Sequence, residues 1–86
     1  MKIDTYRSEV KRSYGLAVPS GTDLKTLSGI AGSAISKLSP LVPVSTAANL
    51  DDQFKGDLRD HIAGQILSDG AGLWKVDVSF QEIVDN

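Results

Sequence analysis

The stretch Asp57-Leu58-Arg59-Asp60-His61-Ile62-Ala63-Gly64-Gln65-Ile66-Leu67-Ser68, followed after Asp69-Gly70-Ala71-Gly72 by Leu73-Trp74-Lys75-Val76-Asp77-Val78-Ser79-Phe80-Gln81-Glu82-Ile83, decides the fold class. In its first part Leu58, Ile62, Ala63, Ile66 and Leu67 recur at three- and four-residue spacing, which predicts a helix over Asp57–Ser68 with one apolar stripe. Asp57 is suited to cap it, because its carboxylate accepts a bond from the free N–H groups of the first turn. Asp60 stands near the positive end of the helix dipole, and Gly70 supplies the stop. In the second part Trp74, Val76, Val78 and Phe80 alternate with Lys75, Asp77, Ser79 and Gln81. That period of two predicts a strand, Leu73–Ile83, buried on one side. A helix leading into such a strand implies an α+β fold, a small and mainly antiparallel sheet of about three or four strands with one or two helices on one face.

The same alternation appears at the other end of the chain. Ile3 and Thr5 alternate with Lys2, Asp4 and Tyr6; Tyr14, Leu16 and Val18 alternate with Ser13, Gly15 and Ala17. The short polar connection Ser8-Glu9-Val10-Lys11 makes this pair a β-hairpin, Met1–Pro19, whose tip carries Arg7, Lys11 and Arg12. Pro19 has no N–H to give to a ladder and ends the second strand. Thr22 or Asp23 caps a short helical turn reaching Leu27.

The middle of the chain is less regular. Ile30, Ala34, Ile35 and Leu38 fall at helical spacing, but Gly29 and Gly32 each cost a helix on the order of 1 kcal/mol relative to Ala. For residues 28–38 the balance falls narrowly on helix, with a loop as the alternative. Pro40 stops it, and Pro43 confines a strand at Leu41–Thr46 to a sheet edge or a bulge. Leu50 and Phe54 are expected to plug into the core from a polar loop over Ala47–Gly56.

Eighty-six residues suffice for one domain, 1–86, with a thin core. There is no cysteine, so disulfides, thiolate metal sites and thiol catalysis are excluded. A cysteine-free chain that opens without an apolar leader and has no long apolar run is expected in the cytoplasm, away from membranes. The net charge is −2. It is unevenly spread: residues 1–40 carry six Lys and Arg against three acids, and residues 41–86 carry three against eight. Halves of opposite sign attract each other within the fold or across a head-to-tail contact.

Residues able to do chemistry are few. His61 beside Asp60 and Asp57 is the one histidine, but no nucleophile or second ligand is tied to it by motif, and a helix-surface histidine is the simpler reading. Asp51, Asp52, Asp57 and Asp60 lack the spacing of a calcium loop and read as caps and loop polarity. Gly29-Ile30-Ala31-Gly32-Ser33 matches neither a dinucleotide fingerprint nor a P-loop. No catalytic residue, metal site or cofactor is therefore expected. Arg7, Lys11 and Arg12 with Tyr6 and Tyr14 set positive charge beside aromatic faces and form the nucleic-acid candidate. Trp74, Val76, Val78 and Phe80 are core residues first. At a free sheet edge their strand also becomes an interface for a second chain.

The segment Met1-Lys2-Ile3-Asp4-Thr5-Tyr6-Arg7, with Tyr14-Gly15-Leu16-Ala17-Val18-Pro19-Ser20-Gly21 after it, resembles the opening of a small bacterial family of uncharacterised α+β proteins. The resemblance spans about a quarter of the chain and departs from that pattern at Ser28–Ser36. It implies a small bacterial α+β domain and carries over no functional residues. The leading functional expectation is a non-enzymatic protein-binding or regulatory module, its partner another protein or a second copy of itself as a homodimer. The alternative is a weak nucleic-acid binder built on the basic hairpin.

Overall fold

The computed structural model describes residues 1–75. Its elements are β1 (Lys2–Ser8), β2 (Tyr14–Pro19), a 3-10 turn (Leu24–Thr26), α1 (Gly29–Leu38), β3 (Leu41–Asn49), α2 (Leu50–Gln53), α3 (Gly56–Asp69) and β4 (Gly72–Lys75). The strands form a four-stranded sheet in the order β3-β1-β2-β4, each neighbouring pair antiparallel. The α+β class and the antiparallel sheet are those the sequence predicts, with the N-terminal hairpin at the centre. Of the expected strand Leu73–Ile83, β4 holds the start; Val76, Val78, Phe80 and the rest lie outside the described residues. Among the described residues no helix is long and apolar enough to cross a membrane.

The helices divide between the two faces of the sheet, where the sequence reading put them on one. On the first face Ile3 and Ala17 pack with Leu50, Phe54, Ile62 and Ile66, so α2 and α3 cover it. On the second face Leu16 and Val18 pack with Ala31 and Ala71, flanked by Leu24, Leu27 and Ile35, so the 3-10 turn and α1 cover it. The run Gly15-Leu16-Ala17-Val18 is consequently buried on both sides. Its small alternate residues read as an outer side but serve close packing. A Cβ on Gly15 would overlap the Trp74 indole, and one on Gly72 would stand 2.8 Å from Ile62 Cγ2.

Two helical stripes are narrower than expected. In α3, Ile62 and Ile66 are buried and Ala63 half-buried, whereas Leu58 and Leu67 are exposed. Lys55 occupies the N-cap position and Asp57 falls in the first turn; Gly70, at φ 84°, closes the helix by donating to the Ile66 carbonyl at 2.9 Å. Residues 29–38 are helical, but Ala31 and Leu38 point inward while Ile30 points out. Gly32 is needed there, since a Cβ would lie 2.8 Å from the Leu27 carbonyl oxygen. Asp23 caps the 3-10 turn by accepting from the Lys25 N–H.

β3 takes the edge position that Pro43 dictates, and its pairing with β1 slips twice, between Ile3 and Thr5 and between Thr5 and Tyr6. Ala47, at the first slip, has φ 52°. Leu50 and Phe54 do plug into the core, from the single turn α2 and its C-cap.

Two polar side chains of β1 anchor the second face, one toward each end of the strand. The Asp4 carboxylate accepts from the Ala47 N–H (2.8 Å), the Gly21 N–H (3.0 Å) and the Ser20 hydroxyl (3.0 Å). These bonds, that from Ala47 foremost, hold its pKa below the ordinary value. At the hairpin end the fully buried Ser8 hydroxyl donates to the Leu38 carbonyl at 2.6 Å and accepts from the Lys11 N–H at 2.9 Å. Ser8 thereby fastens the C-terminus of α1 to the hairpin loop.

Candidate binding groove

That fastening brings α1 alongside the loop that carries Lys11. Between them lies an open groove of about 660 Å³. Its apolar walls come from Ile30, Ala34 and Leu38 of α1 and from Tyr14 and Leu73 of the sheet; Lys11 and Lys37 complete them. The opening exists because α1 turns Gly29, Ser33 and Ala34, all small, toward the hairpin. Larger side chains there would close the helix onto Tyr14 and Leu73. Among the described residues no carboxylate lines it. Lys37 stands in the last turn of α1, where the helix dipole favours a cation. The site is thus an apolar trough with positive charge at one end.

The hairpin residues singled out from the sequence are only partly gathered here. Lys11 and Tyr14 line the groove, and Arg12 is exposed in the same loop. Tyr6 packs, half-buried, against the Leu16–Val18 core. Arg7 is exposed, and its cross-strand neighbour is Gly15, the residue on which Trp74 rests. Arg7 lies with Gly15, Phe54 and Trp74 around a separate recess of about 330 Å³. Lys37 and Ile30 escaped the sequence reading. Lys37 is 26 residues from Lys11 in sequence, so no local pattern joins them. Ile30 stands out in the sequence only as one of four apolar residues at helical spacing.

Trp74 is half-buried, and its ring meets Phe54 edge to face with centroids 4.7 Å apart and planes at 70°. Such a pair adds about 0.5–1.5 kcal/mol beyond the area it buries. Trp74 serves the core; Val76, Val78 and Phe80, the other expected interface residues, fall outside the described residues.

Of the aspartates in this region, Asp51 and Asp60 face Arg59. Arg59 Nε donates to Asp51 at 2.7 Å and its Nη1 to Asp60 at 3.4 Å. The bond from Arg59 lowers the Asp51 pKa, and the same bond raises that of Arg59. His61 itself is exposed. Among the described residues no group of three or more His, Asp or Glu is placed to hold a metal ion. The Gly29–Ser33 segment is the first turn of α1, and the Gly32 N–H donates to the Ser28 carbonyl at 3.2 Å within the helix.

Comparison with protein-family models, with curated proteins and with solved structures finds no match.

Proposed function

We propose that the chain is a non-enzymatic binding module that holds a protein partner in the α1 groove. The observation that carries this reading is Ile30, an isoleucine left 78% exposed at the rim of an apolar trough that also carries Lys11 and Lys37. Apolar side chains presented together beside charge of one sign are the composition of a protein-contact surface. His61, the one histidine, does not reach this trough: it sits on α3, over the other sheet face. A cytosolic setting, expected from the cysteine-free sequence, belongs to the same reading.

The test pairs wild type with Ile30→Glu. Wild type self-associates across a concentration series in light scattering or retains a protein on co-purification, and Ile30→Glu loses whichever is seen. A strictly monomeric wild type that recovers the same proteins as Ile30→Glu defeats the proposal.

Nucleic acid is the second reading, favoured by Lys37 joining Lys11 and Tyr14 on one surface. It requires binding that falls steeply with salt and weakens in Lys11→Glu. Salt-insensitive binding eliminates it.

A further inference from the structure

Two exposed aliphatic side chains stand on helices that cover opposite faces of the sheet: Ile30 on α1, and Leu67, 81% exposed, on α3. Their surroundings carry opposite charge. Residues 24–38, around Ile30, hold Lys25 and Lys37 and no acid, with Lys11 and Arg12 beside them. Residues 50–70, which include α3, hold five aspartates against Lys55 and Arg59, with Arg59 lying between Asp51 and Asp60 at 2.7 and 3.4 Å.

Helical geometry orders the second patch. At 100° per residue, Asp57, Asp60, Gly64 and Leu67 lie along one side of α3, and all are exposed. Asp60 and Leu67 are about 10 Å apart along the axis at about 1.5 Å per residue. Gly64 lies between them with open space above it, since a Cβ added there meets nothing within 4 Å. The stripe is an apolar knob, a flat place and two acids in line. The groove is an apolar trough with two lysines.

We propose that the groove of one copy receives the outer stripe of α3 from a second copy, with Leu67 against Ile30 and with Asp57 and Asp60 facing Lys11 and Lys37. The proposal rests on the groove being a protein-binding surface and names its occupant. Because stripe and groove are different patches, on helices packed against different sheet faces, the contact is heterologous. Each added copy leaves one groove and one stripe free, so assembly runs past a pair into a chain or a ring. A single helix face meeting a groove buries less than the standard interface of about 800 Å² per partner, so the association is weak and concentration-driven.

Sedimentation equilibrium of the full chain tests this, from about 10 μM to about 1 mM, where weak contacts of this size populate. The weight-average mass of wild type rises past twice 9.1 kDa and falls back when salt is raised. Ile30→Ser and Leu67→Ser each weaken association at least tenfold, the scale of one lost aliphatic contact. Mixed in equal amounts, the two variants retain one good stripe and one good groove between them. The mixture therefore forms a dimer and stops. Both positions are exposed, and matching thermal unfolding of the three proteins separates lost contact from lost fold. A wild type that stays monomeric, or plateaus at a dimer, overturns the proposal, as does a mixture no better than either variant alone. If wild type stays monomeric while Ile30→Ser still loses a co-purifying protein, the second-copy assignment falls and the groove reading stands. If Ile30→Ser changes neither, both fall.

Discussion

The two faces of the sheet are held by different means. The face under α2 and α3 is apolar and close-packed: Ile3, Leu50 and Ile62 are almost wholly inaccessible, and Gly15 and Gly72 let Trp74 and Ile62 approach the strands without an intervening Cβ. The face under α1 has fewer fully buried apolar residues, with Tyr6, Leu24, Leu27, Ile35, Leu41 and Leu73 only partly covered. Hydrogen bonds accepted by Asp4 and donated by Ser8 tie the strands and loops there at the two ends of β1. Stability is therefore concentrated on the first face, and the second retains a groove. The tightly interdigitated face keeps only a recess of about 330 Å³, whereas the face whose helix is moored by polar bonds at its end keeps a groove of about 660 Å³.

The sharpest way to break this contrast is to empty the first face. Ile62→Ala removes a fully buried side chain and is expected to cost about 2–5 kcal/mol, read as a lower denaturant midpoint. Gly15→Ala drives a methyl into the Trp74 indole and should cost about 1–3 kcal/mol by overpacking. Its distinctive sign is a changed emission from the single tryptophan, which Ile35→Ala on the other face should leave as it is.

On the second face, Ser8→Ala deprives the Leu38 carbonyl and the Lys11 N–H of their buried partner, at roughly 1–2 kcal/mol. It should loosen the groove more than the sheet, so hydrogen exchange should quicken at the C-terminal end of α1 before it does so in β2. The smallest effect belongs to acid. The folded pKa of Asp4 lies below its ordinary 3.8, so its contribution is complete above that value and is lost as pH falls through the lowered one. Asp4→Asn should flatten the loss of stability on acidification between about pH 5 and pH 2, leaving stability less dependent on pH there. An acid profile unchanged by Asp4→Asn would remove this carboxylate from the anchors of the second face.

How far the sequence reached follows the same division. α3, the hairpin, the edge position of β3 and the inward placement of Leu50 and Phe54 were legible, because each is written in local periodicity or in proline chemistry. The second core was not. Ala17 and Gly15 are too small to advertise a buried side, so a strand covered on both faces reads as covered on one. The apolar stripes were read too wide for a related reason: spacing places Leu67 and Ile30 near their stripes, but only the position of the sheet decides which residues at a stripe's edge are covered. Lys37 meets Lys11 through the Ser8 tie, a contact between residues distant in the chain that leaves no mark on either segment. The groove was therefore half visible, as Lys11 and Tyr14 without the helix wall opposite them.

Consider last what the irregular pairing of β3 does at high concentration. A straight rim of evenly spaced N–H and C=O groups is the seed on which cross-β stacks grow. Among the described residues β3 pairs with β1 alone, and its outline is far from straight. Pro43 brings no N–H, each slip in register shifts the spacing by a residue, and Ala47 turns into the left-handed region within the strand. Strand-on-strand templating is blocked along this rim. Copies crowded together there find no straight template along β3 on which to extend the sheet into a fibril.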